Sequence, residues 1–81
     1  MAIKVLFFAS LVDITGMREA QLDPSAFSDL GSIFSKFAAD FPRLEAHRKS
    51  VLFALNSEFA LPDSPVHDGD EVAFFPPVSG G

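Results

Sequence analysis

Apolar residues crowd both faces of the first strand-like segment. Ile3, Val5 and Phe7 share one face, and Lys4, Leu6 and Phe8 share the other. This pattern predicts a central strand over Ile3 to Ala9. Asp13 to Met17, with Thr15-Gly16, punctuates the chain. Arg18 to Leu22 alternates polar and apolar residues and predicts a half-buried strand, which Asp23-Pro24-Ser25 breaks. The period then changes. Leu30, Ile33, Phe34, Phe37, Ala38 and Phe41 fall at i, i+3, i+4, i+7, i+8 and i+11, one stripe of an amphipathic helix. Ser28 or Asp29 suits its N-cap. Gly31 in the first turn costs about 1 kcal/mol relative to Ala. Pro42 pushes Phe41 out of helical geometry and stops the helix nearby. Arg43 to Lys49 is polar with Leu44 and Ala46 interspersed, a short helical turn or a loop.

Val51 to Asn56 predicts a strand, with a turn near Ser57 and a short strand from Glu58 to Leu61. Pro62-Asp63-Ser64-Pro65 is a loop. His67-Asp68-Gly69-Asp70 is a turn in which Gly69 supplies positive φ. Glu71 to Phe75 is the last strand, ended by Pro76-Pro77 because proline cannot donate to a sheet ladder. The order is strand, strand, helix, strand, short strand, strand. One main helix on a small mixed sheet is the two-layer solution that buries the helix stripe. This α+β order is that of a β-grasp, ubiquitin-like domain, expected over residues 1–76, with residues 77–81 as a flexible C-terminal tail ending in Gly-Gly.

Composition narrows the chemistry. A chain of 81 residues allows one domain with a marginal core. The absence of cysteine excludes disulfides, cysteine zinc sites, iron–sulfur clusters and a thiol nucleophile. Ten phenylalanines, with neither Trp nor Tyr, must supply much of the burial. The net charge of −5 argues against nucleic acid and against an anionic membrane surface, and it suits a basic partner or pocket. No apolar run approaches the roughly 20 residues that span a bilayer. The N-terminal segment reads as a strand, not a signal peptide, so a cytoplasmic protein is expected.

The end of the chain has a chemistry of its own. After Phe74-Phe75, two prolines hold the exit from the sheet in an extended form, and Val78-Ser79-Gly80-Gly81 follows. Each residue reaches roughly 3.3–3.6 Å when extended. Such a tail can enter a narrow channel and present a bare carboxylate, with nothing else ionised to desolvate. Activation of that carboxylate by ATP would give an acyl-adenylate open to a sulfur or nitrogen nucleophile. Glycine at the reacting position leaves the acyl carbon unhindered. The plainer alternative is a frayed end.

Three segments carry a resemblance to a known family: Ile3-Lys4-Val5-Leu6-Phe7-Phe8-Ala9, the block from Asp68-Gly69-Asp70-Glu71-Val72 through Pro76-Pro77-Val78, and the terminal Gly80-Gly81. Together they resemble the small subunit of molybdopterin synthase, the MoaD family of sulfur carriers. Length and element order match over the whole chain. The resemblance implies that the Gly81 carboxylate is adenylated by an E1-like, MoeB-type enzyme using ATP. A sulfur donor protein then supplies sulfur, and Gly81 becomes a thiocarboxylate, with Gly80 completing the tail. It also implies that the tail inserts into a large, MoaE-type subunit of a heterotetramer. That subunit builds the dithiolene of molybdopterin and supplies the catalytic side chains. The small subunit then binds no cofactor and no metal and is not an enzyme on its own. One departure stands out. Where the family pattern runs Ala-x-Leu-Arg-Glu, this chain has Ala9-Ser10-Leu11-Val12-Asp13. Val12 takes the Arg place, which puts in doubt a partner salt bridge from this loop.

In a β-grasp sheet the first and last strands lie side by side. Val72 and Phe74 would then face the helix, and Phe75 would point the other way, as would Phe8. Two outward rings near the tail's root predict an apolar binding patch, which Phe59 joins. Phe8, Phe59 and Phe75 are therefore assigned to the partner contact, with Pro76, Pro77, Val78 and Ser79 as the inserting segment. The competing expectation is a second small core under a loop. His47 and His67 lack metal-ligand spacing and read as solvated. Asp63, Asp68, Asp70 and Glu71 lack the EF-hand pattern, and turn chemistry explains Asp68 and Asp70. Ser10, Ser57 and Ser79 have no His–Asp arrangement nearby. The remaining alternatives are a ThiS-type carrier for the thiazole of thiamine, a protein-conjugating modifier joined through Gly81, and an inert β-grasp interaction domain.

Overall fold

Nine elements follow one another in the computed structural model, which describes residues 1–77. They are β1 (Ile3–Phe7), α1 (Ser10–Thr15), β2 (Glu19–Leu22), a 3-10 turn (Pro24–Ala26), α2 (Leu30–Asp40), α3 (Pro42–Glu45), β3 (Leu52–Leu55), β4 (Glu58–Ala60) and β5 (Glu71–Phe75). The strands form one mixed sheet in the order β2-β1-β5-β3-β4. β1 and β5 run parallel, with Val5 opposite Val72 and Phe7 opposite Phe74. The other pairings are antiparallel. With α2 packed on one face, this is the β-grasp fold.

The helix stripe and the inward strand positions make the core. Ile3, Val5, Leu30, Ile33, Phe34, Val72 and Phe74 are fully buried. Phe74 sits at its centre, with ring centroids 5.2 Å from Phe53, 5.6 Å from Phe34 and 5.7 Å from Phe7. Such edge-on and tilted pairs contribute about 0.5–1.5 kcal/mol beyond their burial. Asp29, not Ser28, caps α2: its Oδ1 accepts from the Ser32 N–H at 2.8 Å, and the Ser32 hydroxyl accepts from the Asp29 N–H at 3.3 Å. Gly31 earns its place in the first turn by close approach. Its N–H donates to the Pro62 carbonyl at 2.8 Å, and a Cβ there would lie 3.2 Å from that oxygen. Gly69 adopts φ 89°, as the turn before β5 requires.

Several expected boundaries shift. β1 stops at Phe7 and not at Ala9, because Ala9 turns the chain at φ 53°, ψ −131°. The segment after it is a short helix, α1, and not simply a punctuating turn; Leu11 and Thr15, four apart, face the core from it. The polar stretch after Pro42 resolves into α3, with Pro42 in its first turn and Leu44 fully buried. Phe41, expected to end the helix stripe, is only half-buried and links the two helices. The hairpin turn lies at Asn56 and Ser57, both at positive φ, which is the geometry of a two-residue turn between twisted strands. β4 ends at Ala60, leaving Leu61 outside the sheet ladder. Val78, Ser79, Gly80 and Gly81 lie outside the described residues.

Candidate functional site: the root of the tail

β5 is the middle strand of the sheet, and its last residue delivers the chain to Pro76. The Phe8 N–H donates to the Phe74 carbonyl at 3.2 Å, so the parallel pairing continues one residue beyond β1. This brings Phe8 and Phe75 together on the face opposite α2. Their rings stack with centroids 4.7 Å apart and planes 8° from parallel. Phe8 remains 40% exposed.

The outer face is a groove because of which residues share a row. Register places Leu6 opposite Ala73, Ala73 opposite Ala54, and Ala54 opposite Phe59. Two small side chains thus form a floor between large ones. The hollow over them measures about 290 Å³. A second hollow of about 350 Å³ continues along Leu52, Phe59 and Phe75 to Pro76 and Pro77. Phe59 forms the far wall and is 81% exposed. Expected site residues Phe8, Phe59, Phe75, Pro76 and Pro77 therefore line one continuous apolar surface. Leu6, Leu52, Ala54 and Ala73 belong to it as well. Their outward parity was readable from the strand alternation, but their shared row depends on strand register.

Charge is kept to the lower end of this face. Lys4 Nζ lies 3.9 Å from Glu71 Oε2. Asn56 clamps the β3–β4 turn to the start of β5: its Oδ1 accepts from the Glu71 N–H at 2.9 Å, and its Nδ2 donates to Asp70 Oδ1 at 3.0 Å. The other Asp70 oxygen accepts from the His67 N–H at 2.8 Å. Asp70 is thus committed to holding the turn. Among the described residues, no group of three His, Cys, Asp or Glu side chains could hold a metal ion. His67 is exposed and His47 half-buried. The carboxyls pulled below their ordinary range lie elsewhere. Asp23 is lowered by the Ser25 N–H and hydroxyl, and Glu45 by its hydrogen bonds from Arg48.

An apolar groove leading to an extended exit, with no acid–base or metal constellation beside it among the described residues, can bind and present but does not itself catalyse. The ThiS family matches this chain over residues 5–81. The chain belongs to the ThiS family. Among curated ThiS-like relatives, the molybdopterin synthase sulfur carrier subunit of Chlamydomonas reinhardtii is 36% identical over 83 residues and covers all of both chains. That of Escherichia coli (strain K12) is 36% identical, spanning 98% of this chain and 99% of its own. Among solved structures, SAMP1 from Haloferax volcanii superposes over all of both chains with TM-score 0.82 and 27% identity. For a ThiS-family chain the match is informative at its end, because it runs through Gly80 to Gly81. No described helix is long and apolar enough to cross a membrane.

Proposed function

We propose that this chain is the sulfur carrier of a molybdopterin synthase and that the sulfur is held on the carboxyl group of Gly81. The observation that carries the reading is the exit of β5: the central strand leaves the sheet at Pro76-Pro77 beside an exposed apolar groove, four residues before the terminal carboxylate. Full-length likeness to curated molybdopterin synthase sulfur carrier subunits supports it.

The chain's own part is to be recognised and to present its end. Phe8, Phe59 and Phe75 dock the partner, while Pro76, Pro77, Val78 and Ser79 lead the tail into it. An E1-like, MoeB-type enzyme uses ATP to adenylate Gly81, releasing pyrophosphate. A sulfur nucleophile from a donor protein then displaces AMP, leaving a thiocarboxylate. Gly80 and Gly81 bring no side chain to hinder either attack. The large, MoaE-type subunit receives the tail and uses its sulfur to form the dithiolene. The small subunit is non-catalytic, binds no cofactor of its own, and works in the cytoplasm.

Intact mass after incubation with the activating enzyme, ATP and a sulfur donor tests this. A gain corresponding to one sulfur-for-oxygen exchange at the C-terminus is expected, and deletion of Gly81 abolishes it without unfolding the domain. No mass change with competent partners overturns the reading. The likeness to SAMP1, a small archaeal modifier protein, favours a second reading, conjugation of Gly81 to lysines of other proteins. That outcome would appear in the same experiment as covalent adducts on target proteins.

A further inference from the structure

The chain's −5 charge is not spread evenly. Residues 36–49 carry four basic and two acidic side chains, a net +2, whereas the rest carries two basic and nine acidic, a net −7. The positive end lies against the outer edge of the sheet. There a groove of about 380 Å³ runs between the 48–51 segment and the end of β4, lined by Arg48, Lys49, Val51, Phe59, Leu61 and Pro62 among others. Leu61 is 68% exposed.

The two basic residues at its mouth differ in their commitments. Arg48 is bound by Glu45 through Nε at 2.6 Å and Nη2 at 2.8 Å, and its guanidinium carbon lies 5.1 Å from the Phe34 ring centroid. It is a structural cover over the core. Lys49 is exposed and makes no ion pair among the described residues. Phe59 and Leu52 line both this groove and the hollow at the tail's root. A protein that covers the tail's root therefore continues onto β4's edge without a break. Because Leu55 and Glu58 close a two-residue turn, strand alternation points the Phe59 N–H and C=O away from β3, toward that open edge.

We infer that this groove is a second docking surface, taking an extended apolar segment with acidic side chains from the large subunit that receives the tail. The apolar floor accepts its side chains, the Phe59 main chain offers strand addition, and Lys49 meets its carboxylate. The inference rests on the sulfur-carrier reading but adds a sign that reading lacks. A net-acidic chain steered only by a basic partner binds no worse, and associates faster, when it becomes more negative.

Titration calorimetry of the purified large subunit against the full-length chain tests this, with Lys49→Glu, Lys49→Ala and Arg43→Glu compared at low and high salt. Arg43 is exposed, lies outside the groove, and controls for overall charge. Lys49→Glu should weaken binding about tenfold at low salt and Lys49→Ala about threefold, with the differences shrinking at high salt. Arg43→Glu should stay within about twofold. Unchanged melting temperatures show that the variants fold. Binding unaffected or tightened by Lys49→Glu overturns the inference while leaving the carrier reading intact. A large subunit that fails to bind the wild-type chain overturns both. A wild-type chain that self-associates in sedimentation, and loses this with Lys49→Glu, assigns the groove to a second copy instead.

Discussion

Phe74 and Phe75 are adjacent in β5 and point to opposite faces, so the same kind of substitution at each should have opposite consequences. Phe74 is fully buried against Phe7, Phe34 and Phe53. Its replacement by Ala removes a core ring and leaves a cavity, a cost of about 3–5 kcal/mol. Against a total stability of about 5–15 kcal/mol, that leaves the domain near unfolding. Phe75 is half-buried, and its ring contact is the stack on Phe8. Phe75→Ser should cost about 1 kcal/mol of stability, equivalent to about 4–8 °C in melting temperature for a domain of this size. Its main effect should fall on the complex. A partly exposed aromatic beside the tail's exit fits an interface anchor, whose truncation costs about 2 kcal/mol or more, roughly thirtyfold in Kd. Thermal melting and calorimetric titration with the large subunit separate the two effects. If Phe75→Ser melts as early as Phe74→Ala, or binds as tightly as the wild type, the division of β5 into a core face and a partner face is wrong.

Two further predictions concern the scaffold. Ala9 adopts φ 53°, ψ −131°, a region that costs a residue with a Cβ about 1–3 kcal/mol, so Ala9→Gly should raise the melting temperature or leave it unchanged, against the usual loss for such a change; a drop of several degrees would contradict the strain. Hydrogen bonds from Arg48 lower the folded-state pKa of Glu45, so whatever this pair contributes is present above the ordinary Glu pKa and fades as pH falls through the lowered one. The melting temperatures of wild type and Glu45→Gln should therefore differ most near neutral pH and converge in acid, and a gap that persists at about pH 2 would refute it.

Much of the architecture was legible because it repeats. The α2 stripe spans three turns, and its 3.6-residue period is strong enough to stand alone. The opposite directions of Phe74 and Phe75, and of Phe7 and Phe8, follow from strand parity once β1 and β5 are neighbours. α1 was not legible in this way. Six residues make less than two turns, and only Leu11 and Thr15 mark its buried side. The groove floor was hidden for a different reason. Ala54 and Ala73 matter by being small, and their meeting depends on register between strands far apart in the chain. Asn56 likewise gains its role from partners 14 and 15 residues away. The chemistry assigned to Gly80 and Gly81 rests on sequence and family likeness.

The position of β5 has a consequence for biosynthesis. β1 with β2, and β3 with β4, are two separate ribbons, and neither touches the other within the sheet except through β5. β5 is also the last of these strands to leave the ribosome. A chain that stops before Glu71 holds two unjoined ribbons and lacks Phe74, the ring that closes the core. Completion of the fold therefore reports completion of the polypeptide. The apolar groove forms only on chains that have been made as far as the tail they must present, so a truncated product offers little to compete for the partner.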